Sequence, residues 1–380
     1  MVKEYELMAP CHFGLEALLK REIYDLGYDP KTVEDGRVSF MADAEGIAMA
    51  NIHLRTAERV LILCGRFRAT TFEELFQGIK AIPWEEYIPV NARFWVTKAT
   101  SVKSQLFSTS DIQRIAKKAM VERMKSVYDI DQFPEDGADY PIRIAFMKDE
   151  AVVTLDTTGT SLHKRGYRTF TGKAPISETM AAALIMLTPW KADRILVDPF
   201  CGSGTFLIEA AMMAAHIAPG IDRHFTAETW DILPEETWAE LRAEARSEID
   251  TDVEVNLQGY DIDPEAVKIA RANAVNAGVD HMIHFQTRPV AELNHSKKYG
   301  FIITNPPYGE RLEDRADLPA LYKQIGEAYR RLDSWSMYLI TSYEDAERYI
   351  GRKADKNRKL YNGMIKTYFY QYMGPKPPRR

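Results

Sequence analysis

The 380-residue sequence predicts an α/β protein, with a doubly wound, mostly parallel sheet in its second half and an α+β arrangement in its first. Three observations lead there. In the second half, short apolar runs alternate with stretches of helical period, the order that strand–helix–strand units produce. Two of those runs, RILVD and NLQGYD, end in turns that open a helix. In the first half, strands and helices mix without that regular alternation, and PIRIAFMKDEAVVTLDTTG reads as a hairpin turning at Lys148-Asp149.

The elements follow in order. YELMAP is a strand, and GLEALLKREIYDLGY an amphipathic helix closed by Gly27. RVSFMA is a strand, AEGIAMANIHLRTA a helix, and VLILCGRFRA and ARFWVTKAT are strands. STSDIQRIAKKAMVERMKSVY is a long helix with Ser110 or Asp111 as its N-cap. The apolar-poor segment TSLHKRGYRTFTGKAP marks the boundary between the halves. SETMAAALIMLTPW is then a helix capped by Ser177. RILVDPFCGSGTFLIEAAMMAAHIAPG and NLQGYDIDPEAVKIARANAVNAG are two strand–turn–helix units. In the second, Asp263 is the cap, Pro264 the first helical residue and Gly278 the stop. Residues 221–256, rich in Glu and Trp, form a helical insertion between these units. IHFQT, FIIT, SMYLITS and MIKTYFYQYM are strands, with LYKQIGEAYRRL a helix among them.

Composition narrows the function classes. At 46% hydrophobic and 27% charged residues, the chain has the make-up of an ordinary soluble globular protein. No apolar run approaches the roughly 20 residues that cross a membrane, and MVKEYELMAP has no signal-peptide core. Cys11, Cys64 and Cys201 form no CxxC pair, which argues against a disulfide framework or a zinc site and for the reducing cytoplasm. No histidine spacing suggests a metal or a triad. Net charge is −6, yet bases cluster: Lys98, Lys103, Arg114, Lys117 and Lys118; Lys164, Arg165 and Arg168; and nine Lys or Arg against one acid in residues 351–380. Such patches on an acidic chain point to a localised surface for a polyanion.

The chemistry is concentrated in three stretches. Asp198-Pro199-Phe200-Cys201-Gly202-Ser203-Gly204-Thr205 follows a strand and opens a helix; its glycines allow close backbone approach, and the helix start offers free N–H groups. Leu207 stands where a dinucleotide fingerprint needs its third glycine, and no GK[ST] follows, so neither a nicotinamide site nor a P-loop fits. Asp198 would repel a pyrophosphate but suits a cationic amine. Asp261, at the tip of the next strand, is placed to hold ribose hydroxyls. A ribose-bearing, positively charged, phosphate-free ligand describes S-adenosylmethionine. In FIITNPPYGERL, Asn305 and Pro306 offer two carbonyl acceptors, Pro306 and Pro307 fix their spacing, and Tyr308 can stack on a base. Those parts suit methylation of an exocyclic amine by positioning, without a strong base.

DPFCGSGT, GYDID and NPPY, in this order, resemble motifs of the class I S-adenosylmethionine-dependent methyltransferases of the amino-methylating branch. With LHKRGYR…APISETMAAALI ahead of them, they resemble the RlmL-type ribosomal RNA guanine-N2 methyltransferases. The resemblance implies a Rossmann-like domain with a seven-stranded, mostly parallel sheet over residues 166–380. It implies a ferredoxin-like region over 1–60 and a THUMP RNA-binding domain over 61–165. It implies S-adenosylmethionine as cofactor, with Pro175, Thr179, Asp198, Pro199, Cys201, Gly202, Ser203, Gly204, Thr205, Asp261, Ile262 and Asn305 around it, and Asn305 to Tyr308 holding the target base. The implied substrate is RNA, guanine N2 in 23S ribosomal RNA, with no membrane and no obligate protein partner. One departure stands at Thr287-Arg288-Pro289, where an acid usually meets the cofactor adenine. Cys201 sits in the glycine loop, away from NPPY, and reads as packing rather than as a nucleophile. The rival readings are an adenine-N6 methyltransferase acting on DNA or RNA, and an RNA-binding protein with an inactive methyltransferase domain.

Overall fold

The computed structural model describes residues 3–168, 176–309, 316–363 and 365–378. The first half contains strands β1 (Tyr5–Pro10), β2 (Pro30–Glu34), β3 (Arg37–Ala42), β4 (Leu61–Arg68), β5 (Arg93–Val102), β6 (Asp139–Met147) and β7 (Glu150–Asp156), with helices α1 (Glu16–Asp25), α2 (Ala44–His53), α3 (Phe72–Ala81) and α4 (Thr109–Tyr128). They form one seven-stranded sheet in the order β2-β3-β1-β4-β7-β6-β5. The ferredoxin-like strands and those beyond residue 60 are thus joined, by a short antiparallel ladder in which Leu7 faces Ile62 and Met8 faces Leu61. Only the β5–β6 pair of this sheet is parallel.

Local signals account for most boundaries. Lys148 and Asp149 both take positive φ, the turn that a two-residue hairpin demands. The cap of the long helix α4 lies two or three residues earlier than expected: Ser108 caps it, and Asp111 lies inside the first turn. Strand β2 escaped the periodicity because its central residues are all exposed. Helix α3 did carry a signal, a capping box of Thr71 and Glu74.

The second half comprises α5 (Glu178–Met186), β8 (Leu196–Asp198), α6 (Thr205–Ala214), α7 (Glu235–Ser247), β9 (Leu257–Asp261), α8 (Pro264–Asn276), β10 (Ile283–Thr287), β11 (Phe301–Thr304), α9 (Leu318–Arg331), β12 (Ser336–Thr341), α10 (Ala346–Ile350), β13 (Lys356–Asn362) and β14 (Ile365–Tyr372). Its sheet is seven-stranded, ordered β10-β9-β8-β11-β12-β14-β13. The strands from β10 to β12 pair in parallel; β14 runs against both β12 and β13. One apolar core lies on the face of α5, α6 and α8, and another on the face of α9 and α10.

The insertion over 221–256 packs mainly on the first half, while Val253 and Val255 near its end pack on the core of the second sheet. Trp238, Leu241 and Ala245 of α7 join the first-half core. The Trp230 ring stacks on Tyr140 at 4.6 Å and 7°, and its Nε1–H donates to the Asp139 carbonyl at 2.8 Å. Gly220 N–H donates to the Ile52 carbonyl at 2.8 Å, so close that a side chain there would collide with that backbone. Buried aromatic contacts of this size dominate interface energetics, so the insertion fixes one half against the other. Among the described residues, no helix is long and apolar enough to cross a membrane.

Candidate active site

The strand order reverses at β8. The chain steps from β8 to β9 and β10 on one side, then to β11 and β12 on the other. In such sheets a crevice opens at the carboxyl ends beside the reversal. Asp198 ends β8, Asp261 ends β9 and Asn305 follows β11. The three polar groups singled out in the sequence therefore meet at one edge.

Asp198 is buried. Thr304 Oγ1 donates to its Oδ1 at 2.6 Å, and Phe200 N–H to the same atom at 3.1 Å. Burial, reinforced by the nearby Asp261 carboxylate and opposed by those two hydrogen bonds, pushes its carboxyl up to about 7. An adjacent cation would restore the carboxylate, which is the response expected of a site for an ammonium group. Thr304 ends the strand that delivers NPPY, so one hydrogen bond ties the two motifs together. The sequence reading did not single out Thr304, although it is the last residue of FIIT.

The glycine loop is held by the backbone. Cys201 N–H donates to the Tyr260 carbonyl at 2.9 Å, and Gly204 N–H to the Cys201 carbonyl at 2.7 Å. Gly202 and Gly204 take φ of +50° and +83°, which side chains rarely adopt. Cys201 is buried, and burial together with Asp198 and Asp261 pushes its thiol far up. It is a packing residue, not a thiolate. Pro199 is buried beside it, Ser203 Oγ lies 3.1 Å from Thr205 Oγ1, and Asn273 Nδ2 donates to the Ser203 carbonyl at 3.0 Å.

Asp261 and Asp263 take different places, and the expected cap is Asp263. Asp263 caps α8, its Oδ1 accepting from Glu265 N–H at 2.9 Å. Asp261 accepts from Gly202 N–H at 2.9 Å and Asp263 N–H at 3.0 Å, so its carboxylate bridges the two loops. Ile262 beside it is 73% exposed, an apolar side chain presented at the rim. Arg288 N–H donates to the Asp261 carbonyl at 2.8 Å, so the edge without the usual acid is organised by main chain.

Asn305 is partly buried, and its Oδ1 is fully buried with no hydrogen-bond partner among the described residues. Such an orphaned acceptor is costly unless a ligand satisfies it. Pro306 is buried and Pro307 exposed; the Pro307 carbonyl accepts from Tyr322 Oη–H at 3.2 Å. Tyr308 is mostly buried, and its Oη lies 3.5 Å from Asn362 Nδ2. A cleft of about 600 Å³ opens beside it, lined by Tyr308, Leu318, Tyr343 and Ile365 among others.

Other expected residues sit elsewhere. Pro175 lies outside the described residues. Thr179 is buried and donates to Glu58 of the first half, an ion-pair hub that His12 and His163 also meet at 3.2 Å and 2.9 Å. Burial opposes those bonds, yet they hold the Glu58 carboxyl well below the usual range. Two of the expected RNA contacts turn inward. Arg165 is buried against Glu209 at 3.5 Å, and Arg168 donates to Thr205 Oγ1 at 2.6 Å and pairs with Glu178 at 3.4 Å. Their guanidinium groups neutralise buried acids and brace the glycine loop instead of facing a phosphate. Lys117 is half-buried, with its ammonium 3.6 Å from the Phe94 ring centroid. Lys98, Lys103, Arg114, Lys118 and Lys164 are exposed, Arg114 in an ion pair with Asp111. Among the described residues, no group of three or more His, Cys, Asp or Glu could hold a metal ion.

Residues 165–371 match the family model of the UPF0020, RMKL-like, methyltransferase domain. The chain belongs to this family. In this RMKL-like protein, residues 6–61 match the RlmL ferredoxin-like domain and residues 69–156 the THUMP domain. It is 46% identical over its whole length, and 98% of the relative's, to a Bacillus subtilis (strain 168) protein named "Putative RNA methyltransferase YpsC". It superposes on SMU.472 complexed with SAH at a TM-score of 0.94, with 44% identity and both chains fully covered. It superposes at 0.92 on a Listeria monocytogenes str. 4b F2365 protein described as a "predicted N6-adenine-specific DNA methylase", with 48% identity over 98% of this chain and 97% of that one. The protein is thus a methyltransferase of the S-adenosylmethionine-dependent type, with a THUMP domain.

Proposed function

We propose that this methyltransferase modifies an exocyclic amine of a base in RNA, namely guanine N2 in 23S ribosomal RNA. The observation that carries the reading is the buried, partnerless Oδ1 of Asn305 beside Asp198 and the glycine loop. An amine with two hydrogens completes it: one hydrogen to Asn305 Oδ1, the other to the Pro306 carbonyl. That grip orients the nitrogen while both N–H bonds are intact; the one proton that N-methylation releases leaves to solvent after the N–C bond has formed, and positioning of this kind supplies much of the rate in reactions that need no strong base. S-adenosylmethionine, when bound, supplies the methyl group. Asp198 faces its ammonium end, Asp261 its ribose hydroxyls and Ile262 its adenine; Pro199, Cys201, Gly202, Ser203, Gly204 and Thr205 shape the loop around it. Tyr308 stacks on the target base, as aromatic residues do with extruded bases. The domains divide near residues 60 and 165, with Lys98, Lys103, Arg114, Lys118 and Lys164 on the RNA-facing side.

One observation favours a second reading, adenine N6 in DNA: the name of the Listeria relative. The experiment separates them. RNA and DNA from a strain lacking the gene are analysed as nucleosides by mass spectrometry, and intact samples of each are offered to the purified protein with S-adenosylmethionine and analysed the same way. We expect loss of N2-methylguanosine from large-subunit ribosomal RNA, and its restoration in vitro. Loss of N6-methyladenine from DNA instead would overturn the guanine reading, and no transfer to either would leave an inactive RNA-binding protein.

A further inference from the structure

The basic stretch after residue 350 has a place in the fold. It is β13 and the start of β14, the outermost hairpin of the second sheet, and the polar composition of KNRKLYN had hidden that strand from periodicity. Register puts Lys359 opposite Tyr368 and Tyr361 opposite Lys366. Paired residues share a face, as do residues two apart along a strand. Lysine and tyrosine therefore alternate in a two-by-two block. The Lys359 ammonium stands 5.4 Å from the Tyr361 ring centroid, and that of Lys366 stands 5.0 Å from Tyr368. Both lysines are exposed, and Tyr361 is 36% exposed. Among the described residues, neither lysine makes an ion pair.

The other face of the hairpin is anchored. Leu360 is buried close to Gly14, and Arg358 donates to the Gly14 carbonyl at 2.9 Å, which pins the hairpin to the first half. The tip of this anchored face meets the active site: Asn362 Nδ2 lies 3.5 Å from Tyr308 Oη, and Ile365, paired with Asn362, lines the cleft beside Tyr308, so the lysine–tyrosine face on the reverse reaches Tyr308 around the tip. Edge strands are often guarded by lysines against pairing with other chains, but guarding needs neither the alternating tyrosines nor a path to the catalytic tyrosine. Cationic groups interleaved with aromatic rings are the surface that single-stranded nucleic acid takes, phosphates on the cations and bases on the rings. The exposed carboxylates Glu344 and Asp345 line the cleft itself, Glu344 within electrostatic reach of Lys366, and would repel phosphate there, so the backbone lies along the outer face of the hairpin and not in the cleft.

We infer that the face of Lys359, Tyr361, Lys366 and Tyr368 is a single-stranded RNA track. It holds the nucleotides flanking the target and leads them to Tyr308. This rests on the RNA reading above. The test uses the full-length protein and a fluorescent 12-nucleotide single-stranded RNA, with anisotropy read at several salt concentrations and cofactor affinity read by calorimetry. Lys359→Glu with Lys366→Glu should weaken binding about tenfold or more, and should flatten the salt slope by roughly 1.4, about 0.7 per lost phosphate contact. Lys359→Gln with Lys366→Gln should flatten it equally. Tyr361→Ala should weaken binding about tenfold with the slope unchanged, and Tyr361→Phe should retain it. Cofactor affinity should stay the same throughout. Wild-type binding in both lysine pairs, or in Tyr361→Ala, overturns the track, as does an equal loss on a duplex of the same length. RNA methylation that persists with wild-type affinity in these variants sinks the track and spares the RNA reading. A protein that binds and methylates DNA alone, impaired by the same substitutions, sinks the RNA reading and supports the track.

Discussion

The two sheets have seven strands each and are built on opposite plans. In the second, the strands from β10 to β12 run in parallel, so Asp198, Asp261 and Asn305 all arrive at the same edge. In the first, all pairs but β5–β6 are antiparallel, so strand ends alternate between the two edges, and the polar groups that gather at one of them, Glu58 with His12 and His163 and Asp156 with Arg59, are engaged with one another. What the first sheet offers instead is surface: Lys98, Lys103 and Lys118 are exposed, and so are Trp95 and Phe107, at 41% and 81%. A parallel sheet concentrates chemistry and an antiparallel one spreads contact. The insertion at 221–256 keeps the two in fixed relation through Trp230 and Trp238.

The sharpest way to break that contrast is at the concentrated site. Asn305→Ala should lower methyl transfer by about 10²–10³-fold, the scale of losing one preorganised transition-state contact, while cofactor affinity measured by calorimetry stays close to wild type. Normal turnover would remove NPPY from the reaction. Next comes the brace. Trp230→Ala removes a buried indole, its stacking on Tyr140 and its hydrogen bond to Asp139, and should cost about 3–5 kcal/mol of stability in denaturant titration. An unchanged midpoint would mean that the insertion does not tie the halves together. The smallest effect belongs to the spread surface. Lys98→Glu with Lys103→Glu should weaken RNA binding only several-fold, more at low salt than at high. Lys117→Gln should act on stability rather than on the salt slope, because its ammonium is already engaged with Phe94.

Much was legible along the chain, and the legible part was local. Ser177 and Asp263 cap their helices, Lys148-Asp149 turns its hairpin, and FIIT and IHFQT are strands to the residue, because each depends on a few neighbouring side chains and their φ preferences. The motif residues Asp198, Asp261 and Asn305 were identifiable for a related reason: an acid or amide at the end of a buried strand, before a turn, has little else to do. Strand β13 was not legible, because Leu360 is the one buried residue of its seven, which leaves no alternation to read.

Sequence by itself therefore determined the fold class, the strand tips that meet at one edge, and the choice of Asp263 as cap over Asp261. Only the tertiary structure decided where the charges face. LHKRGYR reads as an RNA grip until Glu209, 44 residues away in sequence, is seen to draw Arg165 inside, and Thr205 and Glu178 to hold Arg168. The basic stretch after residue 350 reads only as one more patch for a polyanion until register sets Lys359, Tyr361, Lys366 and Tyr368 in one block on the hairpin whose tip meets Tyr308. A helix cap answers to residues three or four positions away. A buried ion pair or a cross-strand neighbour answers to whatever the fold brings near, and no local window contains that.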